Sequence, residues 1–325
     1  MTRFSFFQNQ IDFDSCVITI GNFDGCHLGH RELIEITGRL GKTLGVPSVS
    51  LTFDPHPQEY FRPSPSTVDL LTTEQKMRAF LELGITHPFV LRFNDELFHT
   101  SHEDFYAKFL RDTLRAKAIT VGENFYFGFH RLGNVRWLSK QGEADGLIVN
   151  IVPPVLFQDQ PISSTRIREL LLSTGDVETA AQMLGHTYFI AGTITHGDKM
   201  GRTLQFPTAN LSSIDQLVPK EGVYCGYVWL ENMSKAPAFP LFMSGKDSLF
   251  PAVFSIGHRP TFQKKEADIR VEAHLLQRYS PEQTFYNLKA CYYLKHRLRD
   301  NVAFSGPDEL KMQIARDVAQ AKKLL

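Results

Sequence analysis

The run Ile20-Gly21-Asn22-Phe23-Asp24-Gly25-Cys26-His27-Leu28-Gly29-His30 joins an apolar, strand-like stretch to a helix-like one. Gly21 and Gly25 permit a tight backbone path close to a ligand. A helix opening just beyond them offers unpaired N–H groups and a positive dipole end to an anion. His27 stands ahead of that helix and His30 in its first turn, so both can face the same anion. Phosphoryl-type transfer needs no protein nucleophile. It needs charge stabilisation on the transferring group and on the leaving pyrophosphate. The bland alternative, two ordinary loop histidines, explains neither their spacing nor the glycines around them.

Two further stretches carry candidate chemistry. In Ile162-Ser163-Ser164-Thr165-Arg166-Ile167-Arg168, hydroxyls mark a helix start and arginines fall in its first turns. Ser163, Ser164 and Thr165 serve either as N-caps or as phosphate ligands, and Arg168 either as a solvated cation or as a clamp. In Gly197–Asn210, the loop N–H groups around Gly201, with Lys199 or Arg202, suit the phosphates of ATP. Thr208 and Asn210 offer neutral oxygens, suited to a magnesium ion already coordinated by phosphates and water. Val271–Leu276 alternates, with Glu272 and His274 on one face and Val271, Ala273 and Leu275 on the other.

The elements that must position these residues follow from periodicity. Cys16–Ile20, Ser48–Phe53, His87–Phe93, Ala116–Gly122 and Gly146–Val152 read as strands. Between them lie helical stretches: one with the stripe Leu33, Ile36, Leu40 and Leu44, one over Glu74–Leu83, and one opened by Ser101 and Asp104. Strands alternating with helices predict an α/β domain with a doubly wound parallel sheet, whose ligands sit at the carboxyl ends of its strands. Two short helical stretches follow Ser163, the second over Asp176–Leu184. From Tyr188 onward the chain becomes a series of β-branched and aromatic runs, closed by one helical stretch from Pro307 to the end. That pattern predicts an antiparallel β-barrel with a terminal helix. The expected domains are 1–186 and 187–325.

Composition narrows the function class. Lysine plus arginine and aspartate plus glutamate each number 35, for a formal charge of +0, which excludes nucleic-acid binding through bulk positive charge. With 42% hydrophobic and 22% charged residues, two packed cores are expected rather than disorder. Cys16, Cys26, Cys225 and Cys291 lack metal-ligand spacing and read as reduced thiols, which points to the cytoplasm. No apolar stretch suits a signal peptide or a membrane span.

The H-x-G-H turn is the signature of a nucleotidyltransferase superfamily, and Ser-Ser-Thr-x-x-Arg is its expected second phosphate clamp. From about Val17 to the C-terminus the chain resembles the bacterial bifunctional riboflavin kinase/FAD synthetases. Phe53-Asp54-Pro55-His56-Pro57, Gly122-Glu123-Asn124-Phe125-Tyr126-Phe127-Gly128, Pro207-Thr208-Ala209-Asn210 and Ser255–Phe262 carry the likeness further. The resemblance implies catalytic roles for His27, His30, Arg168 and Glu272, with Glu272 as general base toward the ribityl 5′-hydroxyl. It implies nucleotide contacts from Gly21, Phe23, Asp24, Gly25, Gly29, Ser163, Ser164, Thr165, Lys199, Gly201 and Arg202. Asn124, Phe125, Phe127 and His56 would hold flavin, and Thr208 and Asn210 magnesium. Riboflavin, FMN and ATP would be the substrates, and neither nucleic acid nor membrane a partner. The chain departs from the family in three places: Gln205 replaces a glycine, Gln277-Arg278 replace Asp-Phe, and Asn232–Leu249 is atypical in composition. The alternatives are an FAD synthetase with a weakened kinase barrel, an enzyme acting on another phosphate ester, and a non-catalytic flavin-binding regulator.

Overall fold

The computed structural model describes residues 11–61, 68–195, 208–231, 241, 249–258, 269–276 and 286–325. The chain forms two compact units, Met1–Ser164 and Thr165–Leu325.

In the first unit, β1 (Cys16–Ile20), α1 (Leu28–Leu44), β2 (Ser48–Asp54), α2 (Thr73–Glu82), β3 (His87–Arg92), β4 (Ala116–Gly122), α3 (Val135–Asp145) and β5 (Ile148–Val152) follow in chain order. The sheet order is β3-β2-β1-β4-β5, with every pairing parallel. The order reverses between β1 and β4, so the crevice outside their carboxyl ends is the expected ligand position. One sheet face is apolar: Ile18, Ile20, Val49, Leu51, Phe89, Leu91, Ile119 and Val121 join one core cluster.

The opposite face differs. Thr19 stands level with both Ser50 and Thr120, and all three are fully buried. Helix α1 packs on β1, β2 and β4 through Leu33, Ile34, Thr37, Gly38 and Gly41. The predicted stripe is therefore corrected. Leu33 is in it, but Ile36, Leu40 and Leu44 are only half-buried. Small residues on both surfaces let helix and sheet approach closely, and that surface rather than side-chain hydrophobicity selects the buried face. Helix α2 begins with a full capping box, Thr72 with Gln75, which sequence reading had not identified.

The second unit opens with α4 (Ser164–Ser173) and α5 (Val177–Leu184), followed by β6 (Phe189–Thr195), β7 (Thr208–Ser212), β8 (Gly222–Leu230), β9 (Phe250–His258), β10 (Ile269–Leu275), β11 (Lys289–Arg299) and α6 (Pro307–Leu324). The six strands close in the order β6-β7-β10-β9-β8-β11, all antiparallel. Closure removes every exposed strand edge. Thr208, Ala209 and Asn210 of the Pro-Thr-Ala-Asn stretch open β7, a strand that the sequence reading does not predict.

The two compact units divide at Ser164/Thr165. Helices α4 and α5 go with the barrel for physical reasons. The Lys220 N–H donates to the Leu171 carbonyl (2.9 Å), Glu178 pairs with His296 of β11 (3.0 Å), and Val177, Ala180, Met183 and Leu184 are buried.

Candidate active sites

The first site grows from the end of β1. Phe23 adopts a left-handed conformation (φ 50°), and Gly25 follows at φ 77°, a region glycine enters without Cβ strain. The chain then turns into α1, whose N-cap is His27. The backbone N–H of His30 donates to His27 Nδ1 (3.3 Å), so one free helix N–H is satisfied by the imidazole itself. The two rings stack with centroids 3.6 Å apart and planes 16° apart. Gly29 makes this possible: a Cβ there would lie 3.2 Å from His27 Cε1.

The electrostatics of the pair follow from its burial. His27 is only 6% exposed, and burial lowers its pKa to about 4. His30 is held well below the ordinary histidine value, first by burial, then by His27 and by Lys76. Both rings are therefore neutral at pH 7. Because His27 Nδ1 accepts a hydrogen bond, its proton resides on Nε2, which makes that atom the donor available to a ligand.

The turn is braced from beneath. Phe23, fully buried, meets His30 edge-on (5.4 Å) and Phe80 of α2 edge-on (5.2 Å). Asp24 is buried and its Oδ1 accepts the N–H groups of Leu70 (2.8 Å) and Leu71 (3.2 Å). Ser164 Oγ donates to the Asp24 carbonyl (2.8 Å). Phe23, Asp24 and Ser164, expected among the nucleotide contacts, also build the turn itself. Gly21 is half-buried beside the Phe23 ring. Ser163 is half-buried, Thr165 exposed and Arg168 half-buried, the last two on the first turns of α4 in the second unit.

The flavin candidates divide. Asn124 and Phe125 follow β4, across the switch point from the histidine turn, with Asn124 exposed and Phe125 half-buried. Phe127 is a core residue, packed near Phe105 (6.0 Å) and Trp137 (5.9 Å) and stacked on Phe125 (5.4 Å). His56 is half-buried and its Nδ1 accepts the Gln58 N–H (3.1 Å) at the start of the short helix Pro57–Phe61. Sequence reading missed two groups. Tyr60 and Phe53 both meet Phe93 edge-on (5.4 and 6.1 Å) at the carboxyl ends of β2 and β3. Lys76 is buried to 1% exposure beside the turn, with Asp69 at 2.8 Å. A lysine inside an amphipathic helix pattern gives no signal that it points inward.

The second site is assembled across barrel strands. Asn210 of β7 is the direct partner of Glu272 of β10, and Ser255 of β9 faces Glu272 from the other side. Both Asn210 and Glu272 are half-buried, while Val271 and Ala273 are buried, as the alternation predicts. Arg270 lies 3.7 Å from the Glu272 carboxylate. Beneath them Tyr292 donates its hydroxyl to the Ala209 carbonyl (3.0 Å), and burial together with the Glu272 charge holds its phenol far above the usual range. The backbone of Thr208 pairs with His274. The Thr208 side chain, Lys199, Gly201, Arg202, Gln205, Gln277 and Arg278 lie outside the described residues.

A histidine-bearing helix N-terminus at the switch point of a parallel sheet, followed by a closed barrel carrying a carboxylate opposite an amide, defines a two-unit group-transfer enzyme. The FAD synthetase family matches residues 9–166 and the riboflavin kinase family residues 184–325, leaving most of α4 and of α5 between the two. The bifunctional riboflavin kinase/FMN adenylyltransferase of Escherichia coli (strain K12) is 32% identical over 317 residues, covering 97% of this chain and 94% of that protein. Its counterpart from Pseudomonas fluorescens is 32% identical over 309 residues, covering 95% and 93%. The chain belongs to the bifunctional riboflavin kinase/FMN adenylyltransferase family, and is a transferase with both units of that family. A solved structure titled a macrolide-efflux protein, from Streptococcus pneumoniae, shares the fold with a TM-score of 0.81 at 26% identity, over 96% of this chain and 95% of that one. Among the described residues of this chain, no helix is long and apolar enough to cross a membrane.

Proposed function

We propose that the barrel phosphorylates riboflavin to FMN with ATP, and that the α/β unit transfers the adenylyl group of a second ATP to FMN, giving FAD and pyrophosphate. The observation that carries the second step is the stacked, neutral His27–His30 pair at the N-terminus of α1. The FMN phosphate oxygen attacks the α-phosphorus and pyrophosphate leaves. His27 Nε2–H and the free N–H groups of α1 stabilise the charge that develops, donors that need no reorganisation at the moment of reaction. Gly21, Gly25 and Gly29 keep the approach open, and Ser163, Thr165 and Arg168 contribute to the phosphate clamp. Asn124, Phe125 and His56 orient the flavin, whose ring suits an aromatic face and an amide partner.

In the barrel, Glu272 accepts the proton of the ribityl 5′-hydroxyl as that oxygen attacks the γ-phosphorus of ATP, and ADP leaves. Arg270 keeps the carboxylate oriented. Lys199, Gly201 and Arg202 contact the nucleotide phosphates. ATP-dependent transfers of this kind use a divalent metal, and magnesium is our assignment. The donor set fits it: the Asn210 amide and the Thr208 hydroxyl are neutral oxygens, suited to an ion that already carries phosphate and water ligands. Such an ion supplies charge neutralisation at the γ-phosphate. The four cysteines are buried and unbridged, which supports a cytoplasmic enzyme.

Incubation with riboflavin, ATP and magnesium, followed by chromatography of the flavins, tests the reading. FMN and then FAD are expected. FAD from supplied FMN without any phosphorylation of riboflavin would reduce the function to FAD synthesis, and flavin binding without either product would leave a regulator.

A further inference from the structure

We propose that Lys76 is a positioning residue of the nucleotidyl site, whose buried ammonium lays a fixed positive charge under the phosphate-binding turn and beside His30. The inference rests on the adenylyl-transfer reading of that turn. Helix α2 packs on the Asp24–Cys26 turn, and Phe80, one helical turn after Lys76, touches Phe23, which in turn touches His30. Lys76 is therefore on the face of α2 that supports the histidine pair. Among the described residues its ion partner is Asp69, at 2.8 Å. The two ends of this pair are not equivalent: the Lys76 side chain is 1% exposed and that of Asp69 19%. The ammonium is the inner end and the carboxylate the outer one, so the pair presents its positive pole to the protein interior.

Burial lowers the pKa of His30 most and His27 next, and Lys76 adds a fixed charge to both. Asp24 spends one carboxylate oxygen on the N–H groups of Leu70 and Leu71. The Cys26 thiol is pushed up to about 12 by burial and stays protonated. His27, stacked on His30, is neutral at pH 7, and Arg31 is the remaining cation of the first turn of α1, paired with Glu35 at 3.8 Å. The charge of Lys76 acts on both His30 and Cys26. His30 Nδ1 is buried with no hydrogen-bond partner among the described residues. Protonating it would create an unsatisfied buried donor beside an ammonium, and both effects oppose charging.

The test is the titration of His30, read by NMR on the full-length protein labelled at histidine Cε1, with the signal assigned from His30→Gln. Lys76→Met removes the charge while keeping the length of the stem. Lys76→Met with Asp69→Asn removes the pair together, a change that buried ion pairs tolerate far better than loss of one member. The His30 midpoint is expected to rise by about one pH unit in the single variant. In the double variant it rises by less, because the outer carboxylate is lost as well. The acidic limb of the pH profile for FAD formation from FMN moves in the same direction. A purely structural lysine would lower the melting temperature or the rate and leave the midpoint in place. Should the single variant fail to fold, the double one decides: a midpoint that does not rise there overturns the proposal. A parent protein that forms no FAD from FMN at any pH would refute the adenylyl-transfer reading alone, since the NMR midpoint is read without turnover.

Discussion

The histidine turn and the barrel face solve the same problem, stabilising charge on a nucleotide, by different routes. In the turn, donors come from one contiguous segment, where backbone N–H groups and two imidazoles share a helix start. In the barrel, Asn210 and Glu272 meet only because β7 pairs with β10. The first arrangement takes its donors from local sequence, although distant groups brace it. The second depends on register, since a one-residue slip in a strand sends its side chains to the opposite face. The chemistry differs accordingly. The FMN phosphate is already an anion and needs no base, whereas the ribityl hydroxyl must lose a proton, which our proposal assigns to the Glu272 carboxylate.

The largest expected effect breaks the barrel alone. Glu272→Gln keeps size and removes the proton acceptor, so riboflavin phosphorylation should fall by about 10²–10⁴. Adenylylation of supplied FMN should survive, with product composition read by chromatography and folding checked by circular dichroism. Loss of both products from their direct substrates in a folded protein would end the two-site reading.

His30→Ala should do the reverse, cutting FAD formation by about 10²–10³, as for loss of one preorganised donor. FMN should then accumulate from riboflavin. A variant that fails to phosphorylate riboflavin instead would place His30 outside the adenylyl site.

Acid should separate the two regions next. The folded pKa of His27, about 4, lies below the unfolded value of 6.5. The unfolded chain therefore binds the extra proton, and stability is lost as pH falls from about 6.5 toward 4. The shift corresponds to about 3 kcal/mol for the first unit. The chain has 2 tryptophans, Trp137 in the first unit and Trp229 in the barrel. Trp229→Phe leaves fluorescence to the first unit, and its thermal melt should drop over this range. Trp137→Phe, which reports the barrel, should show less loss. Equal acid sensitivity of both would contradict burial of a neutral histidine pair as the cause.

The smallest effect concerns Gln205, three residues ahead of β7 in sequence. Gln205→Gly restores backbone freedom there. It should change the Michaelis constant for riboflavin or ATP more than it changes FMN adenylylation. Equal changes in both half-reactions would remove this segment from the kinase site.

Much of this was legible in residue order. The βα alternation defined the parallel sheet, and Gly21, Gly25, His27, Gly29 and His30 marked the turn because their task is local: backbone torsions and a helix start are encoded within a few residues. Glu272 and His274 were placed on one face by period alone, and the structure has both half-buried where Val271 and Ala273 are buried. Other features depend on what an element packs against. The buried face of α1 was set by the small and hydroxyl residues of the sheet beneath it, not by its own leucines. Phe127 became core while its neighbour Phe125 stayed half-buried, a choice made by Phe105 and Trp137. Thr208–Ser212 became a strand because barrel closure required a partner for both β6 and β10. Lys76 reached the histidine turn through the docking of α2, which residue order does not specify. Local torsion and period are written along the chain, but burial and cross-strand proximity are properties of pairs of surfaces, and only the folded protein decides which surfaces meet.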